Sequence, residues 1–134
     1  MVNAKKLVIG IVCIMVLIVG IIGGRYLISV QKYKTVINEL KIANVDLAKV
    51  SDGKYKGSCD AVFVGAEVSV TVKDKKIVNI VLLSHKTEKG KSAEVITAKV
   101  LKAQSLKVDT ISGATNSSKV ILKSIENALK SGEL

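Results

Sequence analysis

The feature that most constrains this chain is the stretch from Leu7 to Gly24, which contains no charged residue and follows directly on Lys5 and Lys6. It approaches the ~20 apolar residues with which a helix crosses a bilayer, and it exceeds the ~7 to 15 residue apolar core of a secretory signal. No A-x-A-like cleavage site follows, and Cys13 is preceded by Val12 rather than by the small residue of a lipoprotein signal. The expectation is an uncleaved anchor over residues 1–27. Lys5 and Lys6 on one side face Arg25, Lys32 and Lys34 on the other, so charge does not decide the orientation.

Residues 28–50 hold no Pro or Gly, and Val30, Tyr33, Ile37, Leu40, Asn44 and Leu47 recur three and four apart. That is a coiled-coil seam with one polar position, expected as a helical stalk continuing from the anchor. Two readings stay open: a parallel homodimer through the stalk, or an amphipathic linker resting on its own domain. Ser51-Asp52-Gly53 breaks the pattern and opens the domain expected over residues 51–134.

Within that domain Tyr55–Val64 reads as a strand interrupted by Gly57, and Ala66–Val72 alternates with Val68, Val70 and Val72 on one face. Lys73 to Lys76 has the polarity of a hairpin turn. Ile77–Leu83 is more continuously apolar, which predicts the more central strand of the meander. His85 to Lys91 reads as a loop, with Ser92 capping a helix to about Gln104 whose apolar side is Val95, Ile96, Val100 and Leu101. Val108–Ile111 is expected to return to the sheet. The fold class is α+β: an anchor and stalk, then about 80 residues built from an antiparallel β-meander and two helices.

The last helix opens on Asp109-Thr110-Ile111-Ser112-Gly113-Ala114-Thr115-Asn116-Ser117-Ser118, with Val120, Ile121, Ile125, Ala128 and Leu129 at helical spacing behind. A small-residue turn before a helix N-terminus makes a phosphate-sized site, because the first backbone N–H groups lack intrahelical partners and the helix dipole favours an anion. Gly113 and Ala114 permit close backbone approach, and Thr115, Ser117 and Ser118 add hydroxyls. The plainer alternative is that Ser112 or Thr115 is merely the helix N-cap.

The pattern Asp109-x-x-Ser112-Gly113-Ala114-Thr115-x-Ser117 resembles the flavinylation motif of the FMN-binding domain family. The resemblance runs from Asp52-Gly53-Lys54-Tyr55-Lys56-Gly57 through Asp74–Leu83, His85–Gly90 and Gln104-Ser105 to Ala128-Leu129. The family includes extracytoplasmic subunits of sodium-translocating NADH:quinone reductases and Rnf complexes. It implies FMN joined by a flavin transferase to Thr115 as a phosphoester. Ser112, Gly113 and Ala114 would form the turn, Asp109 part of what the transferase recognises, and Ser117 and Ser118 further phosphate donors. It implies a cytoplasmic N-terminus, an extracytoplasmic domain at the cell membrane, redox protein partners, and an electron carrier more than a self-sufficient enzyme. Two departures stand out: Lys75 occupies the hairpin position that is usually Gly in the family, and Lys86-Thr87-Glu88-Lys89-Gly90 follows the family's E-T-x-G-type loop loosely.

Other chemistry finds little material. The net charge of +10 comes from scattered lysines, with Arg25 the only arginine and no Trp. That disfavours a nucleic-acid reader and suits a solvated surface near anionic headgroups. Cys13 and Cys59 lie on opposite sides of the membrane boundary and do not form a framework, and Cys59 is expected as a half-buried strand residue. No His, Cys and carboxylate set offers metal ligands. His85, the only histidine, is expected as an exposed loop residue, and no nucleophile–base pair can be assembled.

Overall fold

The computed structural model describes residues 3–87 and 90–134, and the chain falls into two units, Met1–Thr35 and Val36–Leu134. Helix α1, Ala4–Glu39, makes up the first and enters the second. Over its most apolar 18-residue window the mean hydropathy is 3.0 and none of the window is buried, so α1 is long and apolar enough to cross a membrane. The helix ends at Glu39, short of the expected Val50. Of the seam positions, Leu40, Asn44 and Leu47 lie beyond it. Residues 40–46 run without regular structure, and Asp46 caps a short 3-10 turn, Leu47–Lys49, by accepting the Ala48 N–H at 3.0 Å.

The second unit holds β1 (Gly53–Ala61), β2 (Val64–Lys73) and β3 (Lys76–Lys86), an antiparallel meander in the order β1-β2-β3. Val68, Val70 and Val72 share one face and are almost fully buried. The strand in the middle is β2, so the expectation that Ile77–Leu83 would be central is corrected. Ile77 is buried, but Val78, Val81 and Leu83 are 49, 41 and 45% exposed. Two register shifts, at Glu67/Val68 and Thr71/Val72, break the alternation of β3, and an edge strand thereby acquires the continuous apolar look of a core strand.

A 3-10 turn at Lys91–Val95 leads into α2, Ile96–Ala103. Gly90, not Ser92, stands at the cap of that turn. The buried side is Ala93, Ile96 and Val100, while Val95 is 55% exposed. Helix α3, Thr115–Ser131, buries Val120, Ile121, Ile125, Ala128 and Leu129 against the sheet. The close approach depends on Gly57: a methyl there would lie 2.9 Å from Ala128 Cα and nearer still to Ser124 O and Ala128 N. Ser124 Oγ donates to Ala66 O at 3.1 Å, fixing the helix along β2.

Val108–Ile111 does not join the sheet. The Gln104 side chain accepts the Ile77 N–H at 2.7 Å and donates to Ile77 O at 2.8 Å, so it satisfies the β3 edge where a further strand would begin. Ile111 turns its own backbone inward, its N–H to Ser118 Oγ and its carbonyl to the Ala114 N–H. The C-terminus closes on the segment before β1, with Val50 bridged to Glu133 and the Ser51 N–H donating to Gly132 O at 2.9 Å.

Candidate functional site

The turn before α3 is built from its own small residues. Gly113 has φ +78, the left-handed region that glycine enters without penalty, and a methyl there would meet nothing within 4 Å. The glycine therefore serves the backbone, and the space beside it is open. The Ala114 N–H donates to Ile111 O at 2.9 Å, closing the turn.

Ala114, buried, is the N-cap residue and offers no side-chain bond, so neither Ser112 nor Thr115 caps the helix. Thr115 is the first helical residue and is exposed, as are Ser112, Gly113 and Asp109. The helix start thus presents the positive end of its dipole beside the exposed Thr115 hydroxyl.

The two serines are used differently. Ser118 is fully buried; its Oγ accepts the Ile111 N–H at 3.0 Å and donates to Ala114 O at 2.8 Å. Its only proton is thereby engaged inside the turn, and it braces the motif in place of donating to a ligand. Ser117, 3% exposed, has its Oγ 3.2 Å from Thr87 Oγ1, which also accepts the Gly90 N–H at 2.7 Å. A methyl on Gly90 would collide with Ser117 Oγ, so the end of the β3–α2 loop lies against the first turn of α3. Glu88 and Lys89, the middle of the loop compared with the family's E-T-x-G pattern, lie outside the described residues.

His85 is not an exposed loop residue. Strand β3 runs on to Lys86, and the pairing of His85 with Ala66 turns the imidazole toward the helices. Its ring is 3% exposed, with Nδ1 3.1 Å from Glu94 Oε1. Cys59, half-buried on β1 and paired with Ala66, is a free thiol whose pKa burial raises against the lowering effect of Lys123.

Sequence reasoning missed Glu126. Its side chain is 1% exposed although it lies on the face of α3 away from the sheet. Lys123 and Lys130 pair with it at 3.0 and 2.6 Å, and its Oε2 accepts the Ala43 N–H at 3.2 Å. Burial acts to raise its pKa, but the bonds from Lys130, Lys123 and Ala43 outweigh burial and hold it below the usual carboxylate value. Spacing of i, i−3 and i+4 to two lysines was readable; the covering segment was not.

The chemistry of the donor set fits the phosphate end of a flavin mononucleotide. An exposed hydroxyl, a helix N-terminus and an open glycine turn lie together, without a carboxylate in the first turn to repel an anion. Among known protein families, the FMN-binding domain matches residues 65–130, from the start of β2 nearly to the end of α3. The Asp52–Gly57 stretch lies before the matched residues. Neither the curated proteins nor the solved structures gave a match. With the motif, β3, α2 and nearly all of β2 and α3 inside the matched span, residues 65–130 match the FMN-binding domain family.

Proposed function

We propose that the chain is a membrane-anchored extracytoplasmic flavoprotein that relays electrons through FMN joined covalently to Thr115. The observation that supports this most directly is the place of Thr115: first residue of α3, exposed, free of capping duty and set behind a left-handed glycine.

In this reading a flavin transferase brings the activated flavin nucleotide to the open turn. Thr115 would hold FMN through a phosphoester at its Oγ, formed by the transferase at the cost of a phosphoanhydride bond of the donor nucleotide. The N-terminal dipole of α3 would stabilise the phosphate charge, the Ser112 and Ser117 hydroxyls would be further donors to it, and Ser118 keeps the turn rigid. Asp109, exposed on the approach to the turn, is a mark for the transferase. Bound FMN supplies the redox chemistry through its isoalloxazine ring, and the chain supplies placement. Helix α1 holds the domain at the membrane with its N-terminus on the cytoplasmic side, within reach of a membrane redox partner and a second carrier.

The test is intact mass and in-gel flavin fluorescence of the full chain co-produced with a flavin transferase, beside Thr115→Val. A mass gain and denaturation-resistant fluorescence in the wild type alone are expected. An adduct retained in Thr115→Val would move the tether elsewhere. An adduct in neither would refute covalent attachment, and an FMN titration would then separate noncovalent binding from a membrane-tethered interaction or sensory module without redox activity.

A further inference from the structure

We infer that residues 40–46, between the anchor helix and the sheet, are a working part of the flavin site, and that Asn44 is the positioning residue through which they hold the loop presenting Thr115. By sequence spacing Asn44 is a polar position in a helical seam. In the fold it has left the helix, and its Oδ1 accepts the Leu106 N–H at 3.1 Å and the Ser105 hydroxyl at 3.3 Å. One carbonyl oxygen thus serves two donors of the segment that runs from α2 into the motif.

That segment has no strand or helix of its own from Lys107 to Ile111, so its course depends on how its ends are fixed. At its start Gln104 is locked to Ile77, and Leu106, 4% exposed, is held by Asn44. At its end the Ile111 N–H is held by Ser118. Of these fixings, Gln104 and Ser118 lie within residues 65–130 and Asn44 comes from outside them.

The strap is itself well anchored. The Ala43 N–H donates to Glu126, Lys123 Nζ donates to Lys41 O at 3.1 Å, and Val45 is 7% exposed. Asn44 therefore acts from a fixed base. Without its acceptor oxygen, the Leu106 N–H would lose its partner in a part-buried setting, and the loop would be free to open locally while the sheet and helices stay closed.

The consequence for flavin attachment rests on the reading of Thr115 given above; the hold on the loop does not. The test compares the full chain as wild type, Asn44→Ala and Asn44→Asp, each co-produced with a flavin transferase. Two quantities are read: amide hydrogen exchange over residues 105–111, and the rate of adduct gain by intact mass. In Asn44→Ala the loop is expected to exchange on the order of tenfold faster, as loss of one such hydrogen bond allows, with adduct gain slowed by a similar factor. Asn44→Asp keeps an acceptor oxygen and is expected to restore both.

Wild-type exchange and adduct rates in Asn44→Ala would overturn the inference. So would a defect that Asn44→Asp fails to rescue, or faster exchange spread through β2 and α3, which would make Asn44 a general stabiliser. A wild type that gains no adduct would refute the flavin reading instead, and the exchange data would still judge the loop.

Discussion

Gly57→Ala probes how α3, and with it Thr115, is seated on the sheet. The added methyl would lie 2.9 Å from Ala128 Cα and closer to Ser124 O and Ala128 N, all of them backbone atoms of one helix. Ordinary carbon contacts are about 3.5–4.0 Å, so α3 must lift by about 1 Å, because no side chain can rotate away. A gap of that size forfeits about a quarter to a half of each dispersion well along the interface. Val120, Ile121, Ile125, Ala128 and Leu129 are all fully buried there. At ~1.5–3 kcal/mol for each of the larger four, losing a quarter costs about 1.5–3 kcal/mol. For a unit of this size that corresponds to a fall in Tm of roughly 6–24 °C. The assay is thermal unfolding of the full chain in detergent, followed by the far-ultraviolet signal above the persistent contribution of α1. Adduct gain at Thr115 should fall with it, since the helix start moves with the helix. A Tm within about 2 °C of wild type would refute the close seating of α3 over β1.

Glu126→Gln is expected to cost about 1–2 kcal/mol at neutral pH, since the carboxylate is buried but Lys123 and Lys130 remain partly in water. Its folded pKa is depressed below the ordinary 4.5, so its contribution is fully present above that value and is lost as pH falls through the folded pKa; the stability gap between wild type and Glu126→Gln, measured by urea unfolding, should narrow as pH is lowered past 4.5. Lys75→Gly should raise stability by about 1 kcal/mol without changing adduct gain, because Asp74 and Lys75 both hold positive φ, +52 and +64, in the hairpin turn. An unchanged or lower midpoint in urea would refute that strain.

Much of this architecture is legible in the chain because local patterns and burial agree. Val68, Val70 and Val72 alternate in sequence and are buried together, and the five apolar positions of α3 fall where helical spacing puts them. The positive φ values of Asp74 and Lys75 explain why glycine suits that turn in the family, a requirement sequence alone states only as a departure. What failed to show was set by tertiary pairing. The apolar run of β3 looked central because two register shifts disturbed its period, and His85 looked exposed because the strand outlasts its apolar pattern. The fourth strand was lost to one side chain, Gln104, whose amide reproduces the pairing a strand would offer Ile77.

The roles within the motif follow the same division. That a helix follows the small-residue turn can be read from spacing, although it starts at Thr115 and not at the expected Ser112, whereas the difference between Ser117 and Ser118 cannot. Both are hydroxyls on the first turn, yet one reaches Thr87 on the neighbouring loop and the other is closed within the turn by Ile111 and Ala114. A single residue's step along a helix rotates the side chain by about 100°, enough to exchange a partner on another element for a partner in the preceding turn. Asn44 follows the same logic at longer range: its polarity was visible, but only the end of α1 at Glu39 frees it to meet Leu106. A flavin site assembled this way depends on two kinds of residue. In the proposed attachment Thr115 would offer the reactive oxygen from a regular helix end, while Ser118, Gln104 and Asn44, drawn from three separate parts of the chain, fix the irregular loop that leads to it.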